Sequence, residues 1–430
     1  MPVDLSEGKA RCRELGQMNQ RLAQAVIATF RDDDRDTHAR QLASFDVRDW
    51  RRCLHWLDAS GLALYLWSRI SFLGLGRSVP REIAEGLRLR LRDNKHRTAQ
   101  LFREFECVNR EFQRAGFGYA NLKGFTLVPE YCPDPSLRCQ FDLDFILYGS
   151  DAPACRKILN GFGYVESGKH NDVVEFKAGM EQVCSIKDLY NPRIQRAVEV
   201  HFVPESQSTN PSSSPLARTQ TKIWNGVVFP ALSDADGFLW QARHLFRHVN
   251  SEWTRISWLL EFRTFVSAHR DEAEFWHQVR QQAANSNEDA LAVGLAVWLA
   301  TAAFGEFAPP TLTEWSSDVL PKQTRVWLDC YGTRVLLADF PGTKLYLLLN
   351  RDLSQVKDND SWKIDWGKVL PLHRPPRVTC PSGGATRWRI GASLSEMSFM
   401  LFRMRFHIAE GIRYLIEVQR WKRIMNASLG

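Results

Sequence analysis

The 430 residues include 44% hydrophobic residues, with 15 Trp and 25 Phe, ample material for sizeable cores, so a disordered or low-complexity chain is excluded. A net charge of +7 favours anionic or phosphate-rich ligands without singling out nucleic acid. The nine cysteines form no C-x-x-C pair, which argues against a zinc site or a disulfide framework and for reduced thiols in a cytoplasmic protein.

The N-terminal stretch is charged and has no apolar centre, so no secretory leader is expected. Residues 1–115 read as a helical domain. "VRDWRRCLHWLDASGLALYLWSRI" carries apolar residues at helical spacing with a Ser60-Gly61 break. Further on, Leu101, Phe105, Val108 and Phe112 form a core-facing stripe, and Gly116 marks a stop.

From Gly116 the pattern alternates, giving a core over 116–205. "FGYANLKG" is a short strand ending in glycine, "FTLVPEYCP" a turn or short helix, and "QFDLDFILYG" a strand. "SDAPACRKILNG" has helix grammar, with Ser150 or Asp151 as N-cap, Pro153 in the first turn and Gly161 at the stop. "DVVEFKAG" with "EQVCSIKDL" suggests a hairpin, and "RAVEVHFVP" is another alternating strand. Residues 206–215 are Ser/Pro-rich and read as a flexible loop within a third segment, 206–350, that is otherwise helical. Its longest apolar run, Ala290–Gly305, has 16 residues, short for a bilayer span and suited to a buried helix, so no transmembrane segment is expected. Residues 351–430 read as an irregular, Pro-rich connection followed by a basic C-terminal helix.

Two aspartates interrupt the apolar run at 140–149. Strand alternation puts Asp142 and Asp144 on one face, about 6.5–7 Å apart along the strand, opposite Leu143, Phe145 and Leu147. Like charges at that spacing call for a divalent metal, a basic residue or solvent between them. Glu199 and His201 share a face of the later strand in the same way. A third carboxylate beside the pair would make an oxygen cup for Mg²⁺ or Mn²⁺, and such ions can grip both oxygens of an in-line phosphoryl displacement. "NLKG" at 121–124 supplies Lys123 and a glycine where backbone N–H groups can approach phosphate, and Arg138 lies just upstream of the aspartates.

The series "LKG … SLRCQFDLDFIL … LNGFGY … VEVHF" resembles the uncharacterised nucleotidyltransferase family of the polymerase-β-like superfamily. The resemblance takes in about residues 45–310, including "ALYLWSRI", "LFRHVNSEWTRISWLLEFRTFV" and the apolar helix ending in "AFG". It implies an α+β fold: a small polymerase-β-like core, a mixed sheet with helices, flanked by N- and C-terminal helical domains. It implies Asp142, Asp144 and Glu199 as metal-binding and catalytic residues with Mg²⁺ or Mn²⁺. Lys123 and Gly124 would sit at the phosphate turn, with Arg138 and His201 beside the nucleotide. The activity implied is transfer of a nucleoside monophosphate from an NTP to an acceptor that could be protein, RNA or small molecule. Phe125 stands where the wider superfamily has serine, and Glu199 replaces the commoner aspartate.

Plainer readings stand beside these. Asp142, Asp144 and Glu199 could be solvated strand carboxylates, Lys123 a solvated lysine, His201 a satisfied structural histidine, and Arg138 a partner for Asp142 rather than phosphate. His244 and His248, spaced i, i+4 with no third ligand, read as structural. The basic C-terminal helix packs on the body by default and could otherwise meet an anionic surface. Two other functions are compatible with the motifs: a catalytically degenerate nucleotide- or partner-binding protein, supported by Phe125, and a DxD glycosyltransferase, which would need an α/β half upstream of the aspartates.

Overall fold

The computed structural model describes residues 20–170, 172–178, 189–193, 196–203, 214–354, 364–371 and 386–429. Helices open the chain: α1 (20–28), α2 (Arg35–Ala43), α3 (Val47–Ser60), α4 (Ala63–Phe72) and the long α5 (Arg81–Arg114). A capping box between Asp46 and Asp49 starts α3, and Gly61, at φ 75°, ends it at the Ser-Gly break.

The central sheet has seven strands: β1 (Tyr119–Leu122), β2 (Asp142–Tyr148), β3 (Val165–His170), β4 (Val173–Ala178), β5 (Arg196–Val203), β6 (Thr219–Trp224) and β7 (Val227–Leu232), in the order β3-β4-β5-β2-β1-β7-β6. Between β2 and β3 lies α6 (Ala152–Gly161), with Pro153 in its first turn. β2 runs parallel to β5 and antiparallel to β1, so the sheet is mixed. Leu143, Phe145, Leu147, Val198 and Val200 point to one face, where they pack with the α5 stripe of Leu101, Phe105, Val108 and Phe112. The opposite face is left for Asp142, Asp144, Glu199 and His201.

β4 forms a hairpin with β3 on its N-terminal side and pairs with β5 on its other edge. Residues 181–188 lie outside the described residues, as do 206–213 of the Ser/Pro-rich loop and 355–363 and 372–385 of the Pro-rich connection. No strand is assigned to 219–232 on sequence, yet β6 and β7 close one edge of the sheet. Their turn, Asn225-Gly226, has φ of 46° and 79°, the left-handed pair that a tight hairpin needs.

After the sheet come α7 (Asp234–Val249), α8 (Ile256–Ala268), α9 (Ala273–Ala283), α10 (Asn287–Phe304), α11 (Pro310–Val319), α12 (Lys322–Trp327), α13 (Thr333–Leu336), α14 (Tyr346–Ser354), α15 (Trp366–Val369) and α16 (Thr386–Leu429). One buried cluster joins Leu57 and Leu66 of the early helices to Phe262, Leu299 and Trp327 of the later ones and to Trp421 of α16. The helices before and after the sheet therefore share a core. No helix among the described residues is long and apolar enough to cross a membrane; α10 is buried, as its apolar run requires.

Candidate metal centre

Register brings the acidic face together. Asp144 is directly opposite Glu199 on β5 and Leu122 on β1, and the next residue after Leu122 is Lys123. Among the described residues, Asp144, Glu199 and His201 each offer a ligand atom within 4.8 Å of the other two. Asp142 heads the same strand face but lies outside that group. The sequence-derived trio of acids is thus placed as two acids and a histidine, with Asp142 one step along the strand.

Charge crowding is plain in the proton affinities. Burial, then Asp144 and Asp142, push the Glu199 carboxyl up to about 8. Burial and Asp144 also raise Asp142. The internal counter-charge is Lys123, whose Nζ donates to Asp144 Oδ1 at 2.8 Å, with the carboxylate only 2% exposed. Burial pulls the ammonium down, but the attraction of Asp144, Asp142 and Glu199 prevails and its pKa lies above that of an ordinary lysine.

A strained turn aims this lysine. Lys123 and Gly124 both have positive φ, 50° and 51°. A Cβ on Gly124 would meet Gln140 Nε2 at 2.4 Å, and that amide donates to the Asp142 carbonyl at 2.7 Å. Gly124 thereby lets the turn close on the start of β2. Phe125 points away, into the core, against Phe105 and Trp224.

His201 carries the clearest signal of an absent partner. Its Nε2 is buried with no hydrogen-bond partner among the described residues, and Trp240 packs edge-on at 5.1 Å. Burial, Lys123 and Arg247 push the ring down to about 3, so it is a neutral imidazole with a lone pair to offer. Two carboxylates and a neutral imidazole fit a divalent cation. The carboxylates suit Mg²⁺ and Mn²⁺, and the nitrogen donor favours Mn²⁺ of the two.

Arg138 is placed differently from the carboxylates. Its Nε donates to Glu261 Oε1 at 3.0 Å, the oxygen that also accepts from Tyr65 at 3.0 Å. Even so, Lys123 and Arg138 line one cleft, together with Lys222, His244, Trp240 and Trp258. His244 packs edge-on and His248 at a tilt against Trp258, at 4.5 and 4.4 Å, and they join no metal-ligating group among the described residues, in keeping with structural roles. Cys53, Cys107, Cys132, Cys139, Cys155 and Cys330 are free thiols.

Sequence reading missed Trp240, Lys222 and Arg255, the last of which, with Lys123 and Arg138, opposes by its charge the rise that burial and Asp144 impose on Asp142. They come from β6, α7 and the turn before α8, and no local spacing ties them to the aspartates. Upstream of the sheet, described residues 20–115 carry helices and no strand, so the α/β half that a DxD glycosyltransferase needs is missing from them.

A family model described as an uncharacterised nucleotidyltransferase matches residues 46–305. A search of curated proteins found no match. Among solved structures, the chain is similar to an antigenic nucleotidyltransferase-like protein from Paracoccidioides brasiliensis, at 9% identity over 49% of this chain and 94% of that one. The TM-score is 0.28, and at that score the likeness carries no argument about the site.

Proposed function

The chain belongs to the uncharacterised nucleotidyltransferase family, and from that premise we propose a metal-dependent enzyme that transfers a nucleoside monophosphate from an NTP to an acceptor. The observation that carries the reading is the convergence of Asp144, Glu199 and His201, with the buried His201 Nε2 unpartnered among the described residues. Asp144, Glu199 and His201 would hold Mg²⁺ or Mn²⁺, with Asp142 free to turn toward the same ion or a second one. The cation would neutralise charge on the transferring phosphoryl group and on the leaving pyrophosphate.

In the proposed reaction the acceptor oxygen bonds to the α-phosphorus, the bond to the bridging oxygen breaks, and the acceptor proton passes to Glu199. Burial and the neighbouring Asp144 and Asp142 raise the Glu199 carboxyl, and a bound cation would offset that repulsion and favour its ionised form. Lys123 lies within reach of phosphate once its hold on Asp144 is relaxed, and Gly124 keeps the turn close to the strand. Arg138, anchored by Glu261, adds positive potential to the cleft wall. Positioning and charge neutralisation supply the catalysis. The acceptor would be a protein, an RNA or a small molecule.

Phe125 supports a second reading. With Phe125 where the wider superfamily has serine, the Thr126 hydroxyl donating to the Lys123 carbonyl at 2.8 Å and Lys123 seated on Asp144, the fold could bind a nucleotide or partner without turnover. Incubation of the protein with α-phosphate-labelled NTP, Mn²⁺ and a cell lysate separates the two. Transfer of label that disappears in Glu199→Gln supports the enzyme; tight NTP binding with no transfer supports the binding protein.

A further inference from the structure

Helix α16 is fastened to the body along one face and bare along the other. Phe406, Glu410, Tyr414, Glu417, Trp421 and Met425 are buried against the later helices. The outer face presents Met397, Leu401, Met404, Ile408, Ile412 and Ile416, each about half exposed or more, with Ile416 reaching 65%. At helical rise this stripe is about 28 Å long. Single exposed apolar residues need no explanation, but a continuous row of six does.

Charge identifies the occupant. Arg405, Arg413, Arg420 and Arg423 are exposed along the same helix, Arg413 paired with Glu410 and Arg420 4.0 Å from Glu417. Its acids over 397–427 are turned inward: Glu410 and Glu417 are 6% and 8% exposed, and Glu417 accepts from Arg334 at 2.8 Å and from Tyr331 at 3.1 Å. The outer surface is therefore apolar and of one sign. A second copy of the helix would bring arginines against arginines. A nucleic acid would leave the isoleucines and methionines in water.

We propose that the outer face of α16 docks on an anionic lipid bilayer, with Leu401, Met404, Ile408, Ile412 and Ile416 entering the acyl boundary and the arginines reaching the headgroup phosphates. An amphipathic basic helix lying in the interface plane has this composition, and long arginine side chains extend to the phosphate level while their stems stay among apolar groups. The helix lies on the surface rather than across it, in line with the lack of a spanning helix among the described residues. The proposal stands apart from the metal centre.

Flotation of the full chain with extruded vesicles tests it, comparing pure phosphatidylcholine with vesicles containing about a third phosphatidylglycerol. The expected result is binding at least about tenfold tighter to the anionic vesicles, weakened by salt. Ile408→Glu/Ile412→Glu should abolish it, and Arg405→Ala and Arg423→Ala should each weaken it about fivefold. All four positions are exposed, so circular dichroism and melting temperature should stay at the wild-type values. Equal binding to both vesicle types, or none, overturns the proposal. So does a dimer by light scattering that Ile408→Glu/Ile412→Glu dissociates without any vesicle binding, or RNA binding that the double variant leaves intact.

Discussion

Lys123 Nζ sits 2.8 Å from Asp144 Oδ1, so the acidic face carries its own cation. The lysine side chain is 15% exposed and the carboxylate 2%, which makes this a nearly buried pair. Truncating one partner of such a pair leaves the other uncompensated. Lys123→Met should destabilise the metal-free protein by about 3 kcal/mol. Because the same change removes the competitor for Asp144, Mn²⁺ should raise its melting temperature more than that of the wild type. Thermal melts with and without Mn²⁺ check both parts; a neutral variant, or one indifferent to Mn²⁺, contradicts the counter-ion role.

The turn before β2 depends on the absence of a side chain at 124. Gly124→Ala puts a methyl 2.4 Å from Gln140 Nε2 at a φ of 51°. It should cost about 1–3 kcal/mol by denaturant unfolding. Adding Gln140→Ala should recover only part of this, since the steric conflict is relieved while the backbone strain stays. Full recovery would show that strain contributes nothing.

Strand positions of the candidate site were the most legible part of the sequence. Alternation in 142–148 and 196–203 fixed which residues share a face, and register then set Asp144 opposite Glu199. Apolar spacing and Gly61 gave α3, α4 and α5, and the resemblance over about 45–310 agrees with the family match over 46–305. Two features escaped for different reasons. β6 alternates exposed and half-buried residues, so it lacks an apolar face, and its strongest marker, Asn225-Gly226, lies in the turn rather than in the strand. The strand pairing with β4 reads "VESGKH", too polar to be marked by hydrophobic alternation. Nor could spacing tell that Asp144 and Glu199 group with His201, because that follows from side-chain direction across two strands.

Acid stability should reflect the histidine pair on α7. Burial, then the charges of Lys123 and Arg255, hold His248 down to about 4, and His244 is also held well below its ordinary value, 6.5. A base with a depressed folded pKa takes up its proton first in the unfolded chain. The unfolded state therefore binds more protons between about pH 4 and 6.5, and stability rises with pH there. The histidine contribution is fully present above pH 6.5 and is lost as pH falls toward 4. His248→Gln should flatten that slope in urea titrations at several pH values; an unchanged slope contradicts the assignment.

Glu199 and His201 can be probed separately from the fold. Glu199→Gln should abolish label transfer from NTP, a loss of about 10³-fold or more, while leaving the melting temperature of the metal-free protein unchanged or higher, since it removes a carboxyl crowded by Asp144 and Asp142. A lower melting temperature in the absence of metal would mean that Glu199 is a structural partner instead.

The account rests on Asp144, Glu199 and His201 acting together on one divalent cation. Mn²⁺ titration of the full chain, followed by electron paramagnetic resonance in the presence of an NTP, tests this most directly. The predicted result is one bound Mn²⁺ whose affinity falls about 100-fold in Glu199→Gln and at least about tenfold in His201→Gln. Binding that is absent in the wild type, or unchanged in both variants, would contradict it.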